Sequence, residues 1–212
     1  MTGNPLIIDA GPALNFLAAG EQDLLCDVID LRERTLLMPQ TVHDEIHNKA
    51  ERANGARFSA CPGRLTSLLE AQRIQMLSDD PEDKNLVRQV ERVAGIPMIR
   101  RVKEPKDLGE TLVLAHALRM TADGQSVVVL IDESEGTKKA RMYGLKVLTT
   151  VGVLVAAAGY GLVQDRGEMQ SRYESIAQYD DGLPGWDRDA NRNQLADKRI
   201  YLAHQQKYAT KK

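Results

Sequence analysis

Val127-Val128-Val129-Leu130-Ile131-Asp132 is five apolar residues, four of them β-branched, ending on an acid. A run this short and this continuous reads as a strand buried on both faces, which is the mark of a parallel sheet covered by helices. Leu6-Ile7-Ile8-Asp9 has the same form, and Gly11 and Pro12 follow it. Each strand therefore delivers a carboxylate at its exit.

Working outward, the elements alternate. After the strand Leu6–Asp9 come helices over Ala13–Ala19 and Glu21–Leu31, the strand "TLLMP" (35–39) and the helix "QTVHDEIHNKAERA" (40–53). A helix and strand pair is next ("RLTSLLEA", 64–71; "RIQML", 73–77), then the charged helix "DKNLVRQVERVAG" (83–95) and a loop holding Pro97 and Pro105. The apolar helix "LGETLVLAHALRM" (108–120), the strand 126–132, the helix "SEGTKKARMYG" (134–144), the strand "KVLT" (146–149) and a core helix ending near Gly159 complete the pattern. The expected fold class is α/β, a central parallel sheet with helices on both faces. The expected division is a domain over 1–163, carrying a charged insertion at about 56–104, and a polar extension over 164–212 with a helix near 190–208. The insertion suits a lid, an RNA-contacting arm or an oligomer contact.

Composition narrows the partners. The chain has 28 Lys and Arg against 30 Asp and Glu, so a nucleic-acid surface has to be a local patch. Aromatics are 4%, few for base-stacking platforms. Cys26 and Cys61 form no CxxC pair and read as buried thiols in a reducing compartment. Val147–Val163 is uncharged for 17 residues but broken by Thr149-Thr150 and three glycines, so a strand, turn and helix is expected there instead of a membrane span. The expectation is a cytoplasmic protein without a membrane partner.

In an open parallel sheet, ligands gather outside the carboxyl ends of the strands. Asp9 and Asp132 leave strands at that edge, and Glu45 and Glu110 lie near the starts of helices that begin there. Four carboxylates in one cleft repel one another and take up protons unless a cation sits among them. An all-oxygen set suits Mg²⁺ or Mn²⁺. Structural explanations compete: Asp132 with Glu135, and Asp107 with Glu110, have capping-box spacing, and Glu45 has the pattern of a solvated helix residue. Asp9 is harder to explain structurally, because Pro12 at the first helical position makes Gly11 the cap.

The order "LIIDAGPALNFL", "MPQTVHDEI", "DLGETLVLAHAL" and "VLIDESEGTKKARMYGLKVLTTVGVLVAA" resembles the PIN domain, a metal-dependent ribonuclease fold, over about 1–55 and 105–163. The resemblance implies that Asp9, Glu45, Glu110 and Asp132 form the catalytic, metal-holding set for Mg²⁺ or Mn²⁺. It also implies that Thr150 lies beside the site, although a helix N-cap is a sufficient role for it, and that Glu133 is an outer acid. Gly11 stands where serine is frequent, Thr149 where glycine is usual, and Thr137 where arginine is frequent; Lys138, Lys139 and Arg141 are the substitutes for that arginine as phosphate contacts. Arg100, Arg101, Lys103 and Lys106 are further basic candidates. The resemblance thus implies an endoribonuclease with an RNA substrate, of the kind that serves as a toxin with an antitoxin partner, and a homo-oligomer. A non-catalytic module that binds RNA or protein on the same fold is the alternative.

Other chemistries fit less well. "HDEIH" (43–47) imitates a zinc-protease helix but has Asp44 where glutamate is needed, and its third ligand would have to be His116 or His204. An aspartyl-phosphate enzyme wants an acid where Gly11 stands. No glycine-rich nucleotide loop is present.

Overall fold

β1 (Asn4–Ile8) forms the middle of a five-stranded sheet, and its three residues Leu6, Ile7 and Ile8 have no exposed surface. Full burial of such a side chain stabilises by about 1.5–3 kcal/mol each, and only cover on both faces gives it to consecutive residues. The computed structural model describes residues 4–52, 56–103, 106–179, 183, 186, 195–197 and 199–201. After β1 come α1 (Ala10–Ala19), α2 (Gln22–Leu31), β2 (Arg34–Pro39), α3 (Gln40–Glu51), a 3₁₀ turn over Ala56–Phe58, α4 (Cys61–Glu70) and β3 (Gln75–Leu77). The second half adds α5 (Lys84–Ala94), α6 (Met98–Arg101), α7 (Leu108–Ala122), β4 (Val128–Leu130), α8 (Ser134–Met142), β5 (Lys146–Leu148), α9 (Thr150–Tyr160) and α10 (Arg166–Ala177).

All strand pairs are parallel, in the order β3-β2-β1-β4-β5. The chain winds from β1 to one side as far as β3 and then returns to β1's other side for β4. The point where the direction reverses lies between β1 and β4, and a crevice opens there at the carboxyl ends. Register is fixed by Ile8 opposite Leu130, and the Asp9 N–H continues the ladder to the Leu130 carbonyl at 3.0 Å. Asp9 and Asp132 thus leave neighbouring strands at the reversal point.

The α/β class and the cover on both faces are as the sequence indicates. The stretch from 56 is folded into the body: α4 buries Cys61, Leu65 and Leu68 in the main core, and β3 pairs with β2 as the sheet's edge. α5 lies along α7, joining Leu86 and Val90 to Leu112, Ala115 and Met98. The expected loop around Pro97 contains α6, started by Pro97 at the N-cap. Beyond 163, α10 packs against α1 with Met169, Tyr173 and Ile176 buried, and Arg172 pairs with Glu21. Most of the helix expected over 190–208 lies outside the described residues, as does most of "YDDGLPGW" (179–186). Val147–Val163 divides into β5, a turn and α9, and among the described residues no helix is long and apolar enough to cross a membrane.

Candidate metal-dependent site at the sheet reversal

Asp9 is the first residue past β1 and takes the N-cap position of α1, with extended backbone (φ −87°, ψ 163°) and no side-chain cap bond. The helix begins at Ala10, not at Pro12. Proline is accepted anywhere in a first turn because none of those N–H groups has an intrahelical partner. Burial is the main cause that pushes the Asp9 carboxyl up to about 7; the Ala10 backbone N–H opposes it, and the charges of Glu45, Glu110 and Glu133 add to it. The groups that act on it by charge are therefore other carboxylates.

Glu45 comes from the second turn of α3. As a residue it is exposed, but its carboxyl is partly desolvated and raised for that reason, with Lys49 and Arg52 lowering it and Asp107 raising it. Gly109 makes room for it. A Cβ at position 109 would stand 2.8 Å from Glu45 Oε2 and 3.8 Å from Asp9 Oδ1, so both acids lean on that glycine. Glu110, next along α7, is buried. Its Oε1 accepts from Lys139 Nζ at 2.8 Å, and its Oε2 lies 2.5 Å from where a Cβ of Gly136 would be. Two glycines, one in α7 and one in α8, thus admit two glutamates, a signal that was visible in the sequence as glycine inside helices, where it costs up to about 1 kcal/mol.

Asp132 turns to α9. Its Oδ1 accepts from the Thr150 N–H at 2.7 Å and its Oδ2 from the Thr150 hydroxyl. Thr150 is fully buried and is the first helical residue; the N-cap is Thr149, whose Oγ1 accepts from the Gly152 N–H at 3.1 Å. Thr150 therefore holds the Asp132 carboxylate and does not act as a cap. Neither capping box forms. The N-cap of α8 is Glu133 and that of α7 is Asp107, at φ 56°, and neither side chain makes a cap bond.

The basic candidates separate. Lys139 reaches Glu110, whereas Lys138 pairs with Glu135 at 3.0 Å on the exposed face, and Arg141 is exposed in the last turn of α8. Helical spacing puts Lys138 and Arg141, three residues apart, on one face and Lys139 on another. Arg101 is buried, its guanidinium donating to Thr111 Oγ1 and to the Lys106 carbonyl, which fastens the loop before α7 and removes it from the phosphate candidates. Arg100, Lys103 and Lys106 are exposed.

His116 is engaged and does not complete a zinc site with His43 and His47. Its Nε2 bonds Asp79 Oδ1 at 2.8 Å, and Asp79 Oδ2 accepts from the Thr41 N–H at 2.6 Å. One aspartate thus ties α7 to the start of α3, setting the helices of Glu110 and Glu45 against each other. His204 lies outside the described residues.

Among the described residues no three His, Cys, Asp or Glu side chains are arranged around one ion position. The donor chemistry nevertheless fits a hard divalent cation: the groups are carboxylates, and Asp9 is desolvated among like charges, an arrangement that a cation relieves. The model for the PIN domain matches residues 5–172. No curated protein matches the chain.

Proposed function

From the premise that the chain belongs to the PIN-domain family, a nuclease fold generally dependent on divalent metal, we propose that it is a metal-dependent endoribonuclease hydrolysing RNA phosphodiester bonds. The observation that carries the proposal is Asp9, half-buried at the sheet reversal, with the charges of Glu45, Glu110 and Glu133 acting on it. Asp9, Glu45, Glu110 and Asp132 would hold Mg²⁺ or Mn²⁺, which supplies acidity to a water and charge neutralisation at the phosphate when bound.

The protein's own groups divide the remaining work. Glu45 is the exposed member and has the solvent access to take a proton from an attacking water. Asp132 is oriented by Thr150 through two hydrogen bonds, and Glu110 is fixed by Lys139 and the contact at Gly136. Uncompensated, the acids repel an RNA backbone, so substrate binding requires the cation and a nearby base.

The engagement of Asp132 and Glu110 by protein partners favours a second reading, a module that binds RNA or protein without cutting. One experiment separates the two. Mg²⁺ or Mn²⁺ should raise the melting temperature of the wild type and support cleavage of single-stranded RNA, and Asp9→Asn should lose both; indifference to metal with retained RNA binding supports the module. A toxin role is a further proposal, tested by whether expression of the chain arrests growth and whether a small protein encoded beside it, where there is one, relieves the arrest.

A further inference from the structure

Lys139 is hydrogen-bonded to one of these acids, and its choice of partner is informative. Glu135 stands four residues before it on α8, the favourable order for a helical Glu and Lys pair, yet Glu135 pairs with Lys138. Lys139 reaches instead to Glu110, its own side chain 45% exposed and that of the glutamate 7%. The hydrogen bond to Glu110 first, then the charges of Glu110, Asp107 and Glu133, hold the ammonium in its charged form against partial burial.

The two partners differ in freedom. Glu110 is packed between Lys139 and the surface left by Gly136, where no Cβ fits, so its carboxyl has little room to turn. Lys139 ends a flexible four-carbon stem that opens to solvent. A buried carboxylate that stays charged needs a counter-ion, and the one Glu110 has now is the movable one.

Resting on the function proposed above, we infer that Lys139 is an exchangeable counter-ion: the divalent cation takes over the charge of Glu110, and the released ammonium turns to a phosphate of the RNA. No covalent bond is made or broken in this exchange. The phosphate-binding base is thereby presented only when the metal is in place.

The test uses the full chain with Mn²⁺ as probe at fixed pH. Pulse acetylation of lysine amines, read by mass spectrometry, should rise severalfold at Lys139 on saturation with Mn²⁺, with exposed Lys146 unchanged as control, and should fall again when a single-stranded oligoribonucleotide is added. By calorimetry Lys139→Met should bind Mn²⁺ about tenfold more tightly, the size of one charge-assisted hydrogen bond, and Lys139→Arg should not. Labelling unmoved by Mn²⁺, labelling unprotected by RNA, or a Lys139→Met protein with wild-type or weaker affinity overturns the inference while metal binding stands. A wild type that does not bind Mn²⁺, or binding untouched by Asp9→Asn, overturns the site and the inference together.

Discussion

Alanine at Gly109 and alanine at Gly136 are the same chemical change in the first turns of two helices, and they should have opposite consequences. At 109 the new Cβ meets Glu45 Oε2 at 2.8 Å, while Val42 Cγ2 at 3.4 Å is in ordinary contact. The obstructing atom is the tip of a flexible side chain on an exposed residue, so it yields by swinging outward, and the helix gains up to about 1 kcal/mol from losing a glycine. Stability should stay within about 1 kcal/mol of wild type, a shift of roughly 2–4 °C for a chain of this size. The swing moves Oε2 by on the order of 1 Å before ordinary contact is restored, and a displacement of that size at a reacting centre costs about 10²-fold in rate. At 136 the Cβ meets Glu110 Oε2 at 2.5 Å, Glu110 Cδ at 3.0 Å and Ile131 Cγ2 at 3.0 Å. Those neighbours are buried and cannot retreat, so overpacking should cost about 1–3 kcal/mol. Urea titration of both variants, with Mn²⁺ calorimetry and RNA cleavage on the same preparations, reads each effect. Undiminished cleavage by a folded Gly109→Ala protein would remove Glu45 from the site, and a Gly136→Ala protein as stable as wild type would refute the packed position of Glu110.

Three other outcomes depend on single side chains. Asp9 has a carboxyl at about 7 in the folded protein against an ordinary 3.8, so between those values the folded state holds the extra proton and is favoured; the stabilisation is complete below about pH 4 and is lost as pH rises through 7, a few kcal/mol by order of magnitude. Urea midpoints across pH 4–8 without metal should show that decline, and Asp9→Asn or added Mn²⁺ should flatten it; a profile that Asp9→Asn leaves unchanged assigns the decline elsewhere. Arg101→Met should lower stability by about 1–3 kcal/mol, since the Thr111 hydroxyl and Lys106 carbonyl lose a buried donor, with RNA affinity per folded molecule unchanged in filter binding. His116→Leu leaves Asp79 without its 2.8 Å partner between α7 and α3; it should cost about 1–3 kcal/mol and weaken Mn²⁺ binding, and a variant with full affinity would show that this tie does not set the glutamates' spacing.

The parts of this molecule legible in its sequence are those determined by local patterns. Val127–Ile131 and Leu6–Ile8 announce buried strands because burial on both faces leaves no polar position, and the parallel sheet with its crevice at the reversal is a consequence of that. Partner choices across the fold were not legible. Asp132 and Glu135 have the spacing of a capping box, yet Asp132 bonds Thr150, eighteen residues on, because β4 and β5 are neighbours and bring the start of α9 to it. Arg101 reads as one of four basic candidates for phosphate contact, but Thr111, ten residues later and a full turn into α7, draws it inward. β3 reads as part of an insertion, although its backbone completes the edge of the sheet.

Helical direction explains why Lys139 could not be singled out from its neighbours. Residues 138, 139 and 141 are equivalent as a basic run, and which one faces the acids depends on the rotation at which α8 docks beside β5. That rotation is set by Gly136 and Ala140, the buried residues of α8, whose missing or minimal side chains let the helix approach Glu110 and the core. Lys139 lies next to Ala140 and three residues after Gly136, at the border of that buried stripe, which is the position from which a long side chain can reach inward while its stem stays at the surface. Small residues in a charged helix thus carry the information that the charges themselves do not: they mark the side that approaches, and the base at the edge of that side is the one with access to the acids.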